Sequence, residues 1–216
     1  MNEYEKLIHR NKRELSNFKG NLLNTVAGKT AKSIMVTSAM NGEGKTTTAL
    51  SIAHTLANEA KDRVYLADGS WNAPRLDKLF NVVENPGISD YLQDEADSEM
   101  IVRQTKTENL FVIPFGKKAA TVTEILKPLK LKEKLDTLKN RCDYLIFDAT
   151  SVMGSSDIAV LSSFFDGVIM VIECEKTKWQ VVDLAKSKLE SADAKLIGAV
   201  MNKRKFYIPK WLYGYI

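Results

Sequence analysis

The chain has 216 residues, 44% of them hydrophobic, with 31 Lys and Arg against 27 Asp and Glu for a net charge of +4. That is enough apolar material for one sizeable core without disulfides or a structural metal, and the small basic excess excludes an obvious nucleic-acid protein because no basic patch accompanies it. Cys142 and Cys174 lie singly beside or inside apolar runs and are expected as reduced thiols. The longest apolar stretch, residues 159–172, is interrupted by Ser162, Ser163 and Asp166, so neither a secretory signal nor a bilayer span is expected and the reading is a cytoplasmic protein.

In chain order, residues 1–24 read as an added helix, with Leu7, Leu15, Phe18 and Leu22 making an apolar stripe. Runs of branched and aromatic residues then recur at 33–37, 64–67, 110–113, 144–147, 168–172 and 196–201. They read as buried strands, and several are apolar at consecutive positions, as a parallel sheet covered on both faces requires. Helical patterns fall between them at 46–59, 129–140, 156–164 and 177–191. The alternation predicts an α/β fold with a doubly wound, mainly parallel sheet flanked by helices, whose ligands bind beyond the carboxyl ends of the strands. The expected division is a helical extension at 1–28, an α/β domain at 29–203 that carries the glycine-containing loop taken next, and a basic aromatic tail at 204–216.

Directly after the first strand comes Ala39-Met-Asn-Gly-Glu-Gly-Lys-Thr46, which fits GxxxxGK[ST] except for Ala39 in place of the first glycine. Strand, glycine-containing loop and helix follow in the required order. Asn41, Gly42, Glu43, Gly44, Lys45, Thr46 and Thr47 are therefore expected to cradle phosphates, with backbone N–H groups converging on the anion at the helix start. Lys45 is expected to bridge the outer phosphates and the Thr46 hydroxyl to coordinate magnesium. ATP is preferred to GTP because no guanine-reading NKxD-like sequence occurs. Asp148 and Asp68 each end a buried strand at the same edge, which suits magnesium support, and a capping role for one of them stays open. Asn202 reads equally as an adenine-edge partner or as an ordinary strand-end residue.

These motifs make the chain resemble the cytoplasmic domain of bacterial tyrosine kinases, P-loop autokinases that work with membrane polysaccharide co-polymerases in capsule and exopolysaccharide export. The residues carrying the resemblance are Val36-Thr-Ser, Gly42-Glu-Gly-Lys-Thr-Thr, Val64-Tyr-Leu-Ala-Asp68 followed by Pro74, Glu108-Asn-Leu-Phe-Val-Ile-Pro-Phe-Gly116, Asp143-Tyr-Leu-Ile-Phe-Asp148, Ser156-Asp157 and Gly198-Ala-Val-Met-Asn202. The resemblance implies that Lys45 and Thr46 hold ATP and Mg2+, that Asp148 supports the metal, and that Asp68 helps activate a tyrosine hydroxyl. It also implies phosphoacceptors in the tail, here Tyr207, Tyr213 and Tyr215, and a partner in the cytoplasmic end of a membrane co-polymerase, which would keep the protein peripheral to the inner membrane. The tail's basic and aromatic residues equally suit docking on the domain itself or contact with an anionic membrane surface. Family members form subunit rings through an arginine-rich N-terminal helix, whereas residues 14–22 keep Glu14, Lys19 and Asn21 without the arginines, so a homo-oligomer and a helix packed on its own domain both stay open.

Departures from the family pattern are specific. Where the second Walker A element carries a further Asp and then a basic residue, this chain has Ser70 and Asn72, with Arg75 and Lys78 the nearest cations. After Asp148 the sequence runs Ala149-Thr150-Ser151 in place of Thr-Pro-Pro. Three functions are thus weighed: a tyrosine (auto)kinase of polysaccharide export, a catalytically weak ATP-binding regulator of the same machine, and a dimerising partition- or division-type ATPase. The last places a lysine where this chain has Met40.

Overall fold

The fold follows from where the apolar runs stop and what is left to cover them. A computed structural model describes residues 4, 7, 8, 31–117 and 128–204. The strands are β1 (Ser33–Ser38), β2 (Val64–Gly69), β3 (Arg103–Gln104), β4 (Leu110–Ile113), β5 (Tyr144–Ala149), β6 (Gly167–Glu173) and β7 (Leu196–Asn202). The helices are α1 (Lys45–Thr55), which continues as a π-helical turn over Leu56–Ala60, α2 (Leu76–Phe80), α3 (Ile88–Leu92), α4 (Pro128–Lys139), α5 (Asp157–Ser162) and α6 (Trp179–Ser191). All six expected strands and four expected helices are present, and the sheet is the doubly wound, mainly parallel one that the alternation predicts.

Strand order across the sheet is β3-β4-β2-β5-β1-β6-β7, parallel throughout except for the β3–β4 edge. From β1 the chain works outward to β2, β4 and β3 on one side and later to β6 and β7 on the other. The carboxyl end of β1 is therefore a topological switch point, where a crevice opens for a ligand. Pairing of β2 with β5 brings Asp68 into register with Asp148, and β5 ends beside β1 with β2 one strand further out.

Alternation along each strand divides the core in two. Met35, Tyr65, Phe147 and Met170 face one layer, closed by Leu131, Leu135 and Leu138 of α4 and by Ala185 and Leu189 of α6. Ile34, Val36, Leu66 and Ile146 face the other, against α1 and the Leu76, Leu79 and Phe80 side of α2. Three consecutive threonines open α1 and give it modest intrinsic propensity. Burial of Ala49, Leu50, Ile52 and Ala53 on the sheet holds it instead. Tyr4 joins this layer, its ring stacked on Phe80 at 4.6 Å and its hydroxyl hydrogen-bonded with His54 Nδ1 at 2.5 Å, and Leu7 and Ile8 pack beside it. The rest of the N-terminal extension and the tail beyond residue 204 lie outside the described residues.

Four elements differ from the sequence reading. Strand β3 has two residues, and α2 and α3 have five each, too short for either period to show. Strand β7 reads from the sequence as a buried strand but is an edge, only partly buried, with Met201 63% exposed. Leu66 on central β2 is wholly buried, so Leu66→Ala is expected to cost about 2–5 kcal/mol, read as a lower urea midpoint at an unchanged m-value.

Candidate nucleotide site

The loop between β1 and α1 reverses direction through Gly42 (φ 83°) and Gly44 (φ 100°), both left-handed. At Gly44 a Cβ would also lie 2.0 Å from Asn202 Nδ2, so glycine is required there twice over. Ala39, at the position the pattern gives to glycine, is fully buried and is not among the residues with positive φ. Alanine serves there without strain.

The loop is braced from behind. Glu43, expected to face the ligand, is 1% exposed and turns inward: its Oε2 accepts the Met40 N–H at 2.7 Å, and its Oε1 accepts the Glu173 N–H at 3.3 Å and the Thr177 hydroxyl. Asn202 donates its amide to the Glu43 carbonyl at 2.8 Å and accepts the Lys203 N–H at 2.9 Å on Oδ1. Its side chain therefore spends these contacts on the P-loop and the chain end. Lys203 Nζ donates to the Gly42 carbonyl at 2.6 Å and lies 3.1 Å from the Glu173 carboxylate. Asn41 Oδ1 accepts from Ser151 Oγ at 2.7 Å, tying the first half of the loop to the turn after β5. Glu173, Thr177 and Lys203 were not singled out from the sequence, and only the adjacency of Lys203 to Asn202 hinted at them.

In front of the loop lies a cavity of about 500 Å³ bounded by Asn41, Gly42, Gly44, Lys45, Thr46 and Thr47 on one side and by Ser70, Asn72, Arg75 and Thr150 on the other. Withdrawal of Lys45 from water lowers its pKa, with Asp148 and Glu43 opposing. Asp148 is wholly buried, and burial, followed by repulsion from Asp68, pushes its carboxyl up to about 7, against a hydrogen bond with Thr46 and the charges of Lys45 and Arg75. Asp148 Oδ1 and Thr150 Oγ1 are buried without a hydrogen-bond partner. Such orphaned oxygens are uncommon and call for a ligand.

Asp68 is used differently. Oδ1 accepts the Ser70 N–H at 3.0 Å, and Oδ2 accepts the N–H groups of Arg75 at 2.7 Å and Leu76 at 2.9 Å. Burial nonetheless raises its pKa, with these three donors opposing. Of the two strand-end carboxylates, Asp68 is the one that caps, closing the turn into α2, and Oδ1 retains one acceptor position.

Among the described residues no three His, Cys, Asp or Glu side chains converge on one point, which does not suit an all-protein metal cage. One carboxylate oxygen without a partner beside one threonine hydroxyl does suit magnesium, which keeps waters and shares its shell with substrate phosphates. The tail tyrosines Tyr207, Tyr213 and Tyr215 lie outside the described residues. Among those residues no helix is long and apolar enough to cross a membrane.

An unfolded aspartate titrates near 3.8, whereas Asp148 holds its proton up to about 7. Protonation therefore favours the folded state, and that stabilisation is fully present below 3.8 and is lost as pH rises from there to about 7. In protein free of nucleotide and metal, the melting temperature of Asp148→Asn relative to wild type is expected to rise from pH 4 to pH 7 and to stay level from pH 7 to pH 8. Thermal denaturation across this range checks it, and parallel curves would place the Asp148 pKa in the ordinary carboxylate range.

Comparison with known proteins agrees with this geometry. The AAA domain family matches residues 31–197. Tyrosine-protein kinase CpsD of Streptococcus agalactiae is 30% identical over 178 residues, covering 82% of this chain and 77% of its own. Tyrosine-protein kinase YwqD of Bacillus subtilis is 31% identical over 174 residues, covering 81% and 73%. The solved kinase domain of VpsO superposes with a TM-score of 0.82 at 27% identity, covering 93% of this chain and 98% of that one. With a nucleotide-binding P-loop fold in place, the chain belongs to the AAA domain family and, within it, to the bacterial tyrosine-protein kinases.

Proposed function

We propose that this chain is an ATP-dependent protein-tyrosine (auto)kinase acting in capsule or exopolysaccharide biosynthesis and export. The observation that carries the reading is buried Asp148, hydrogen-bonded with Thr46 of the cavity wall and charge-coupled to Lys45 while its Oδ1 has no partner. The relatives supply the phosphoacceptor class, since those compared above are tyrosine-protein kinases by name.

In this reading the P-loop N–H groups from Gly42 to Thr46 and the Lys45 ammonium bind and orient the ATP phosphates. Thr46 and Asp148 would hold magnesium, which when bound supplies positive charge against the phosphate oxygens. As the tyrosine oxygen bonds to the γ-phosphorus, the bond from that phosphorus to the β-bridging oxygen breaks and ADP leaves. The phenolic proton passes to a carboxylate, and the open acceptor position on Asp68 Oδ1 is the one assigned to it. Glu43 and Asn202 act from behind the loop, holding its curl.

Acceptors are Tyr207, Tyr213 and Tyr215 of a neighbouring copy. The partner is the cytoplasmic end of a membrane polysaccharide co-polymerase, with the basic aromatic tail touching an anionic surface. A second reading, a nucleotide-gated regulator with little transfer, is favoured by two neutral side chains, Ser70 and Asn72, in the cavity wall. Met40, 47% exposed at the loop's outer edge, brings no charge to a partner's nucleotide and so argues against a partition-type cycle.

Intact mass and tandem mapping after incubation with ATP and magnesium, with and without a co-polymerase tail, separate the two. Phosphate on Tyr207, Tyr213 or Tyr215 in wild type and its absence in Lys45→Ala are expected. ATP binding without phosphate under any condition would leave the regulator.

A further inference from the structure

The cavity must meet a polyphosphate chain carrying several negative charges, yet few of its cations are available. Lys45 is one. Lys203 borders the cavity, but its Nζ is committed to the Gly42 carbonyl and to Glu173. The wall opposite the P-loop offers only neutral groups from Ser70 to Ala73, and then Arg75.

Arg75 is placed with care at its backbone and left free at its tip. Pro74 before it restricts the chain, its N–H is held by Asp68 Oδ2 at 2.7 Å, and the next N–H is held by the same oxygen. The following residues, Leu76, Leu79 and Phe80, are buried in the core. Its guanidinium, by contrast, is exposed and has no hydrogen bond or ion pair with the described residues. Its charge is felt by both Lys45 and Asp148, the two groups at the metal end of the cavity, where the outer phosphates of a bound triphosphate would lie. Lys78, three residues on, is not in the cavity wall.

We propose that Arg75 is the second phosphate-binding cation of this site and that its guanidinium engages the terminal phosphate of a nucleoside triphosphate. A guanidinium suits the task because its planar fork meets two phosphate oxygens at once. The cation enters from the start of α2, three residues beyond Asn72, and Asp68 serves as the positioning residue that fixes its backbone. The inference rests on the nucleotide reading above and adds discrimination between triphosphate and diphosphate.

The test is a fluorescence titration with N-methylanthraniloyl ATP and ADP, each with magnesium, on wild type, Arg75→Ala, Arg75→Lys and the double variant Asn72→Arg, Arg75→Ala. Arg75→Ala is expected to weaken the ATP analogue about tenfold and the ADP analogue by less than about twofold, in line with loss of one charge-assisted contact. Arg75→Lys is expected to fall between, and Asn72→Arg to restore ATP binding in the double variant. An unchanged melting temperature for Arg75→Ala accompanies this, since the side chain has no hydrogen bond or ion pair with the described residues to lose. Equal weakening of both analogues, or of neither, overturns the assignment while leaving nucleotide binding in place. Failure of wild type to bind either analogue overturns the nucleotide reading itself.

Discussion

Asp68 and Asp148 stand in register on adjacent strands, each 1% exposed, and two carboxylates so placed repel one another where water cannot screen them. The structure treats them unequally. Asp68 receives three backbone N–H donors, while Asp148 receives one threonine hydroxyl, the fields of Lys45 and Arg75, and an oxygen left bare. One carboxylate therefore organises the chain and the other remains for a ligand. The arrangement depends on sheet register, because a slip of one residue in β2 or β5 would turn a carboxylate to the opposite face and an apolar side chain into the site.

The P-loop depends on a comparable division of labour. Its front presents N–H groups and Lys45, and a loop of converging donors without support would relax. Glu43 links it to the ends of β6 and α6 through Glu173 and Thr177, while Asn202 and Lys203 hold two successive carbonyls, those of Glu43 and Gly42. The acidic residue inside the motif thus works as a brace. Through Lys203 the brace reaches the residue directly preceding, in sequence, the tail that carries Tyr207.

The fold was legible because its longer strands are apolar runs and α1, α4 and α6 exceed two turns, long enough for the helical period to stand out. Ser33–Ser38 followed by glycines and Lys45 can form little else. What stayed hidden was of two kinds. Short elements such as Arg103–Gln104 and Leu76–Phe80 carry no period, and their form is set by neighbours, Asp68 for the latter. Side-chain direction was the other: nothing in a sequence tells whether a Glu in a phosphate loop faces the phosphate, and Glu43 faces away. Position likewise suggested the same use for Asp68 and Asp148. Only the backbone donors at Ser70, Arg75 and Leu76 distinguish them, and these come from a turn whose path the sequence does not specify.

That turn also decides how charge is distributed at the site. At about 4 Å and an effective dielectric near 20, a single unit charge is worth roughly 4 kcal/mol, so one cation more or less outweighs most neutral contacts available to a phosphate. Ser70 and Asn72 contribute none, yet the same turn delivers Arg75 to the wall and Thr150 faces the cavity with a hydroxyl lacking a partner. A kinase and a nucleotide-gated regulator would both keep the P-loop and Asp148. They differ in whether the terminal phosphate is held firmly enough, from the β2 side, to be passed to an incoming oxygen. Neutral residues at two motif positions therefore do not by themselves imply a silent site, because charge is conserved or lost over the whole wall of a cavity and not at a single position.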